Sequence, residues 1–182
     1  MNKSILFIAL FVVPVCWSQT ANRVITKQGQ VSFFSHTSVE DIEAVNNQVL
    51  SVIDFSTSEM AVSILMRAFV FKKALMQEHF NESYIESDIY PKSTFEGKIM
   101  DFDPSLPDNQ TKLVKGTINI HGVSKELDIK TKIENVQGTI VLSGTFDLRV
   151  ADFKIKIPPI VAGNISKTIE VSFRFEYQPY EN

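Results

Sequence analysis

VKGTINIHGVSKELDIKTKI (Val114–Ile133) is the stretch whose reading decides the architecture. Val114, Gly116, Ile118 and Ile120 alternate with Lys115, Thr117, Asn119 and His121, and Gly122 opens a turn. On the far side Leu127, Ile129, Thr131 and Ile133 alternate with Asp128, Lys130 and Lys132. A period of two with one dry and one wet face predicts an antiparallel hairpin buried on a single side.

Towards the C-terminus the pattern repeats. Gln137-Gly138 marks a turn, and Ile140, Leu142, Gly144 and Phe146 form another dry face. Ile169, Val171, Phe173, Phe175 and Tyr177 alternate with Glu170, Ser172, Arg174 and Glu176 in a last strand. Between them Phe153, Ile155 and Ile157 alternate with Lys154 and Lys156 until Pro158-Pro159 ends any strand, and Ile160 to Lys167 reads as a loop. Towards the N-terminus, Asp101 to Gln110 with Pro104, Pro107 and Asp108-Asn109 is a loop. Ser93 to Met100, Met60 to Ile64 and Val49 to Asp54 read as strands, and Arg67 to Phe71 carries Phe69 and Phe71 on one side. Arg23 to Lys27 and Val31 to His36 look like two short strands about a Gly29-Gln30 turn, and Ser38 to Asp41 caps a short helical turn through Ile42 and Val45.

One segment interrupts the strands. Leu75, Met76, His79 and Phe80 have helical spacing, so Lys72 to Phe80 is expected to be a short amphipathic helix broken by Asn81-Glu82-Ser83. Tyr90-Pro91 then leads back into extended chain. Roughly eight to ten strands with one or two short helices imply an all-β fold, a sandwich or a closed barrel, in which the helical crossover covers one end.

Composition narrows the class. The first eighteen residues have the form of a signal peptide: Lys3, an apolar Ile5–Val15, then Cys16-Trp17-Ser18 before Gln19. That apolar run is far short of the roughly twenty residues a membrane-spanning helix needs. The expectation is an exported, periplasmic or secreted chain cleaved near Ser18, with residues 19–182 as one domain. Cys16 is the single cysteine and sits in a poor context for lipid attachment, so the mature chain is expected to fold without disulfides. Losing Lys3 takes the formal charge from −3 to −4, which argues against nucleic acid as a partner.

No residue pattern supports catalysis. There is no nucleophile elbow and no phosphate-cradling glycine loop, and Glu86, Asp88 and Asp152 read as solvated charges. Glu78, His79 and Glu82 could offer metal ligands, but no HExxH-type spacing accompanies them, and His121 reads as a turn-holding hydrogen-bonding residue. We therefore expect neither an enzyme nor a metal site. Fourteen phenylalanines against one Trp point instead to an aromatic interior.

HFNESYIESDIYPKSTFEGKI (His79–Ile99), KGTINIHGVSKELDIK (Lys115–Lys130), Gly144–Arg149 and Asp152-Phe153 together resemble the YceI-like family of bacterial exported proteins. The likeness runs roughly from Gly29 to Tyr177, departing after Phe153, where Lys154 replaces a common Gly. It implies an extended eight-stranded antiparallel lipocalin-like barrel. It also implies a polyisoprenoid, such as an isoprenoid quinone or polyprenyl lipid, held in the lumen, and leaves open a transient membrane contact for its exchange. The candidate lumen residues are Val62, Ile64, Phe69, Phe71, Leu75, Met76, Phe80, Ile118, Ile120, Leu142, Phe146, Val171 and Phe173. The competing expectation is a stress-protective or interaction module whose barrel is fully packed. Oligomeric state leaves no mark on the sequence.

Overall fold

The computed structural model describes residues 22–103 and 109–180. The signal-like segment with Lys3 and Cys16 lies outside the described residues, as do Pro104 and Pro107. Among the described residues there are nine strands: β1 (Arg23–His36), β2 (Asp41–Asp54), β3 (Glu59–Leu65), β4 (Val70–Phe71), β5 (Lys92–Ile99), β6 (Gln110–Ile120), β7 (Val123–Val136), β8 (Thr139–Arg149) and β9 (Thr168–Pro179). Their order is β1-β9-β8-β7-β6-β5-β3-β2, and β1 pairs with β2 to close the sheet into an eight-stranded antiparallel barrel. β4 is a two-residue patch on β2. Closure leaves no sheet edge exposed along the β1–β2 junction.

The β6–β7 hairpin forms in the expected register, with Val114 opposite Ile129 and Ile120 opposite Val123. Its two turn residues, His121 (φ +52°) and Gly122 (φ +72°), both take positive φ, the handedness that matches strand twist. A Cβ at position 122 would lie 2.7 Å from the Tyr90 ring, so glycine is required there on two counts.

Several local expectations are corrected. Gly29-Gln30 is not a turn: β1 runs unbroken for 14 residues. Its inward side chains shift phase, from Val24 and Thr26 to Val31, Phe33 and Ser35, because one extra residue is accommodated between Thr26 and Gly29. β2 carries the compensating bulge between Val49 and Asn46. The proposed helical turn at Ile42 is the start of β2, because Thr37 Oγ1 accepts from the backbone N–H of Val39 and Glu40 and so folds a turn between β1 and β2. Arg67–Phe71 is a 3₁₀ turn (Met66–Ala68) followed by β4.

The crossover helix α1 is shorter than expected at its start, Ala74–His79, and is not broken at Asn81. It widens into a π-helical turn over Phe80–Tyr84, in which the Ile85 N–H donates to the Phe80 carbonyl at 2.9 Å. Phe153, Ile155 and Ile157 do not form a strand; Val150–Phe153 is a 3₁₀ turn, with a second over Pro159–Val161.

Antiparallel connectivity sorts the loops to two ends. The turn before β2, the crossover, the His121-Gly122 turn and residues 150–167 gather at one end, the mouth. The β2–β3 turn, the loop after β5 and the Gln137-Gly138 turn lie at the other. That second end is filled by side chains, with Val49, Ile53 and Ile99 almost wholly buried and the Phe55 and Phe102 rings 5.7 Å apart.

Candidate functional site

The barrel interior is not packed solid. A cavity of about 480 Å³ runs inward from the mouth, within the range of small-molecule sites. All thirteen residues expected in the lumen border it: Val62 and Ile64 from β3, Ile118 and Ile120 from β6, Leu142 and Phe146 from β8, and Val171 and Phe173 from β9, with Phe71 from β4 and Phe69 just before it. Leu75, Met76 and Phe80 reach it from the crossover, although Leu75 is largely exposed at the rim. Period-two alternation accounts for the placement of the eight residues on β3, β6, β8 and β9, since it fixes which side chains point inward.

Residues missed by the sequence reading border the cavity as well. Phe33 and Ile42 were hidden by the β1 and β2 misreadings, and Phe95, Ile129 and Phe175 had inward alternation that would have found them. Ile155 and Ile157 face the cavity from irregular backbone.

Phe80 ties the crossover to the wall. Its ring lies 5.6 Å from Phe33, 5.7 Å from Phe69 and 5.0 Å from Phe71, in stacked, edge-on and tilted contacts respectively. These spacings are those of favourable aromatic pairs. The crossover is thus held over the mouth by a four-ring cluster.

Deep in the cavity the wall is dry by construction. The buried polar side chains that border it are all engaged with backbone: Ser35 Oγ accepts from the Ser166 N–H (2.9 Å), Ser93 Oγ donates to the Asn119 carbonyl (2.8 Å), and Thr131 Oγ1 donates to the Lys112 carbonyl (3.1 Å). Among the described residues that border the cavity, charge appears only at the rim. Lys73 Nζ lies 2.6 Å from Glu40 Oε1, and Asn164 Nδ2 donates to Glu40 Oε2 at 3.4 Å, joining three mouth segments. The Lys73 hydrogen bond, with help from Asn164, holds the Glu40 carboxyl below the usual carboxylate range against partial desolvation.

His121 links three further segments. Its Nδ1 is 3.1 Å from the Phe153 carbonyl and its Nε2 2.8 Å from Glu86 Oε2, while the Tyr90 ring packs 4.4 Å away. It therefore fastens the β6–β7 turn to the crossover and to the 150–153 turn. Asp88 pairs with Arg67, so Glu86 and Asp88 each face a basic partner rather than one another. Among the described residues no three His, Cys, Asp or Glu side chains gather in a way that could hold a metal, Glu78, His79 and Glu82 included.

A closed eight-stranded barrel with a capped apolar cavity is the geometry that the sequence resemblance implied. The YceI-like domain model matches residues 23–177. The chain belongs to the YceI-like family. Solved structures share the fold of this YceI-like chain at low identity. A polyisoprenoid binding domain from Saccharophagus degradans, implicated in plant cell wall breakdown, superposes with a TM-score of 0.75 at 14% identity, over 88% of this chain and 99% of that one. BcnA of Burkholderia cenocepacia gives 0.69 at 13% identity, over 82% and 96%. The Campylobacter jejuni YceI protein gives 0.52 at 16% identity, over the whole of both chains. No match was found among curated proteins. At such identities these YceI-like structures speak for the fold.

Proposed function

We infer that this chain is an exported binding protein that encloses the apolar chain of a polyisoprenoid, or a similar amphiphilic lipid, within the barrel. The observation that carries the reading is the largely apolar cavity of about 480 Å³, whose buried polar side chains are each hydrogen-bonded to backbone. Burying hydrocarbon there yields about 0.8 kcal/mol per CH₂, so cavity volume and the ordering of the tail limit affinity rather than apolar area. The polyisoprenoid binding described for the Saccharophagus degradans domain, which has the same fold, supports it. The open cavity weighs against the alternative of a packed interaction module.

The signal-like first eighteen residues support export, to the periplasm or beyond, with release near Ser18. Exchange of the lipid at a membrane is favoured by three exposed apolar side chains on the rim, Val39, Leu75 and Ile160, one from each segment that meets at Glu40. The test is mass spectrometry of solvent extracts from protein purified from its native host. A co-purifying isoprenoid or long-chain amphiphile is expected. No extracted lipid, together with no uptake of added quinone, overturns the reading.

A further inference from the structure

The barrel wall is not continuous between β7 and β8. Their pairing runs from Val136–Thr139 to Thr131–Gly144 and stops there. β7 nevertheless extends back to Val123, and β8 on to Arg149, without pairing each other. Each keeps its other neighbour: β7 pairs with β6 down to Val123, and β8 with β9 up to Arg149. The result is a seam that opens towards the mouth. Its upper part is covered by the Val150–Phe153 turn, which packs on both strands and buries Phe153. That turn is held by the His121 bond to the Phe153 carbonyl and by the Val150 N–H donating to Lys167.

At the foot of the seam the outer surface is hollowed into a groove. Thr131 and Phe173 border both this groove and the main cavity, on either side of Gly144, which pairs with each of them and closes the seam below. Gly144 lies at this point, and a Cβ on it would come within 2.8 Å of the Phe173 ring and 3.0 Å of the Lys130 carbonyl. The groove differs in chemistry from the dry interior. Thr111, Ser143, Thr145 and Ser172 supply hydroxyls, and Lys130 and Lys132 supply cations. Among the described residues no carboxylate borders it. Lys132 is paired with Glu134 at 2.7 Å, so Lys130 is the cation turned to this site.

We propose that the seam is a side portal of the barrel, and that its groove holds the anionic head group, carboxylate or phosphate, of an amphiphile whose tail lies in the cavity. This rests on the lipid-binding reading above and adds to it where the head lies and which charge it carries. A charged head cannot follow its tail into a wall without polar partners, because burying an unpaired ion is costly. The portal removes that conflict: the tail passes between β7 and β8 just above the Thr131–Gly144 pair while the head remains among Lys130 and the hydroxyls, where charge-assisted hydrogen bonds form.

The test compares two amphiphiles of one chain length, tetradecanoate and tetradecanol, by displacement of a fluorescent fatty probe from the full chain at low salt. Tetradecanoate is expected to bind about three- to fivefold more tightly than tetradecanol, the size of effect a solvent-exposed ion pair gives. Lys130→Gln should abolish that preference by weakening tetradecanoate binding to the level of tetradecanol. Tetradecyl phosphate in place of the acid shows which anion is preferred, and either preference supports the site. An acid preference that survives Lys130→Gln overturns the proposal, as does one lost in Lys73→Gln but kept in Lys130→Gln, which would put the head at the mouth. Equal binding of acid and alcohol by the unaltered protein also overturns it while leaving the cavity reading intact. Binding of neither amphiphile overturns both.

Discussion

The hydroxyls of Tyr177 and Ser51 lie 2.7 Å apart, buried inside the barrel although 126 residues separate them in sequence. β9 and β2 are not neighbours; β1 stands between them and pairs with both. The bond therefore spans the closing strand from within, and it fixes the final strand to the second. Tyr177→Phe should leave Ser51 without a partner and cost about 1–3 kcal/mol. Adding Ser51→Ala should cost less than the two single changes combined, as a double-mutant cycle in urea will read directly.

The same bond carries an alkaline signature. Burial pushes the Tyr177 hydroxyl above the usual phenol range, an effect the Ser51 hydrogen bond only partly offsets. The unfolded chain ionises this group near pH 10 and the folded chain does not, so its contribution is complete below pH 10 and lost above it. Tyr177→Phe should lose less stability between pH 10 and 11 than the unaltered protein, measured by denaturant midpoint.

At low pH the corresponding group is Asp54. The Ser56 hydroxyl, the Arg23 guanidinium and the Ser56 backbone N–H all hydrogen-bond its carboxylate and hold its pKa at about 2, against an ordinary 3.8. A depressed carboxylate stabilises the fold above its unfolded value and loses that effect as pH falls through the folded one. Asp54→Asn should be less stable than the unaltered protein at pH 5, with the gap closing between about pH 4 and pH 2. An unchanged gap across that window would mean that Asp54 is not the responsible group.

Phe80 sits where the crossover meets the wall, half-buried and with one side towards the cavity. Phe80→Ala should therefore cost less than the ~3–5 kcal/mol typical of a core Phe. Its larger effect should be on release through the mouth: an amphiphile leaving by that route should dissociate roughly tenfold faster, since removing the four-ring contact lowers the barrier to lifting the crossover by about 1.4 kcal/mol. Stopped-flow displacement measures this. An unchanged off-rate would mean that the ligand leaves elsewhere.

Phe173→Ala discriminates between core and cavity wall. The ring touches Phe175 at 5.2 Å and Phe146 at 6.3 Å, yet is only partly buried and borders the open space. Stability should fall by less than the ~3–5 kcal/mol of a fully packed Phe, while bulkier apolar ligands bind more tightly. A full core-sized loss with unchanged ligand preference would show the ring to be packed against protein alone.

Much of this was legible in the residues because alternation is the physical consequence of a half-buried strand. The β6–β7 hairpin and β9 were readable for that reason, and with them the lumen positions Ile118, Ile120, Val171 and Phe173. The failures have equally physical causes. The start of β2 reads poorly because its inward positions include Asn46, fully buried, whose side chain donates to the Leu65 carbonyl and accepts from the Gln48 N–H. A polar residue at an inward position removes the contrast on which alternation depends. Ile155 and Ile157 show the converse, with alternation present but no strand beside them to pair with. The seam left no trace, because pairing is a property of two strands and alternation of only one.

The paired bulges in β1 and β2 tie the lengths of these strands together. Past its bulge each strand presents residues of the opposite parity to the lumen, Val31 rather than Gln30 in one and Asn46 rather than Asn47 in the other. A single insertion in either strand would turn half of that strand inside out, exchanging Val31 and Phe33 for Gln30 and Ser32. Deleting the extra residue from both strands would restore a straight ladder and keep the lining. Relatives that differ in length here should therefore differ in both strands at once, so that gaps in β1 and β2 travel as a pair.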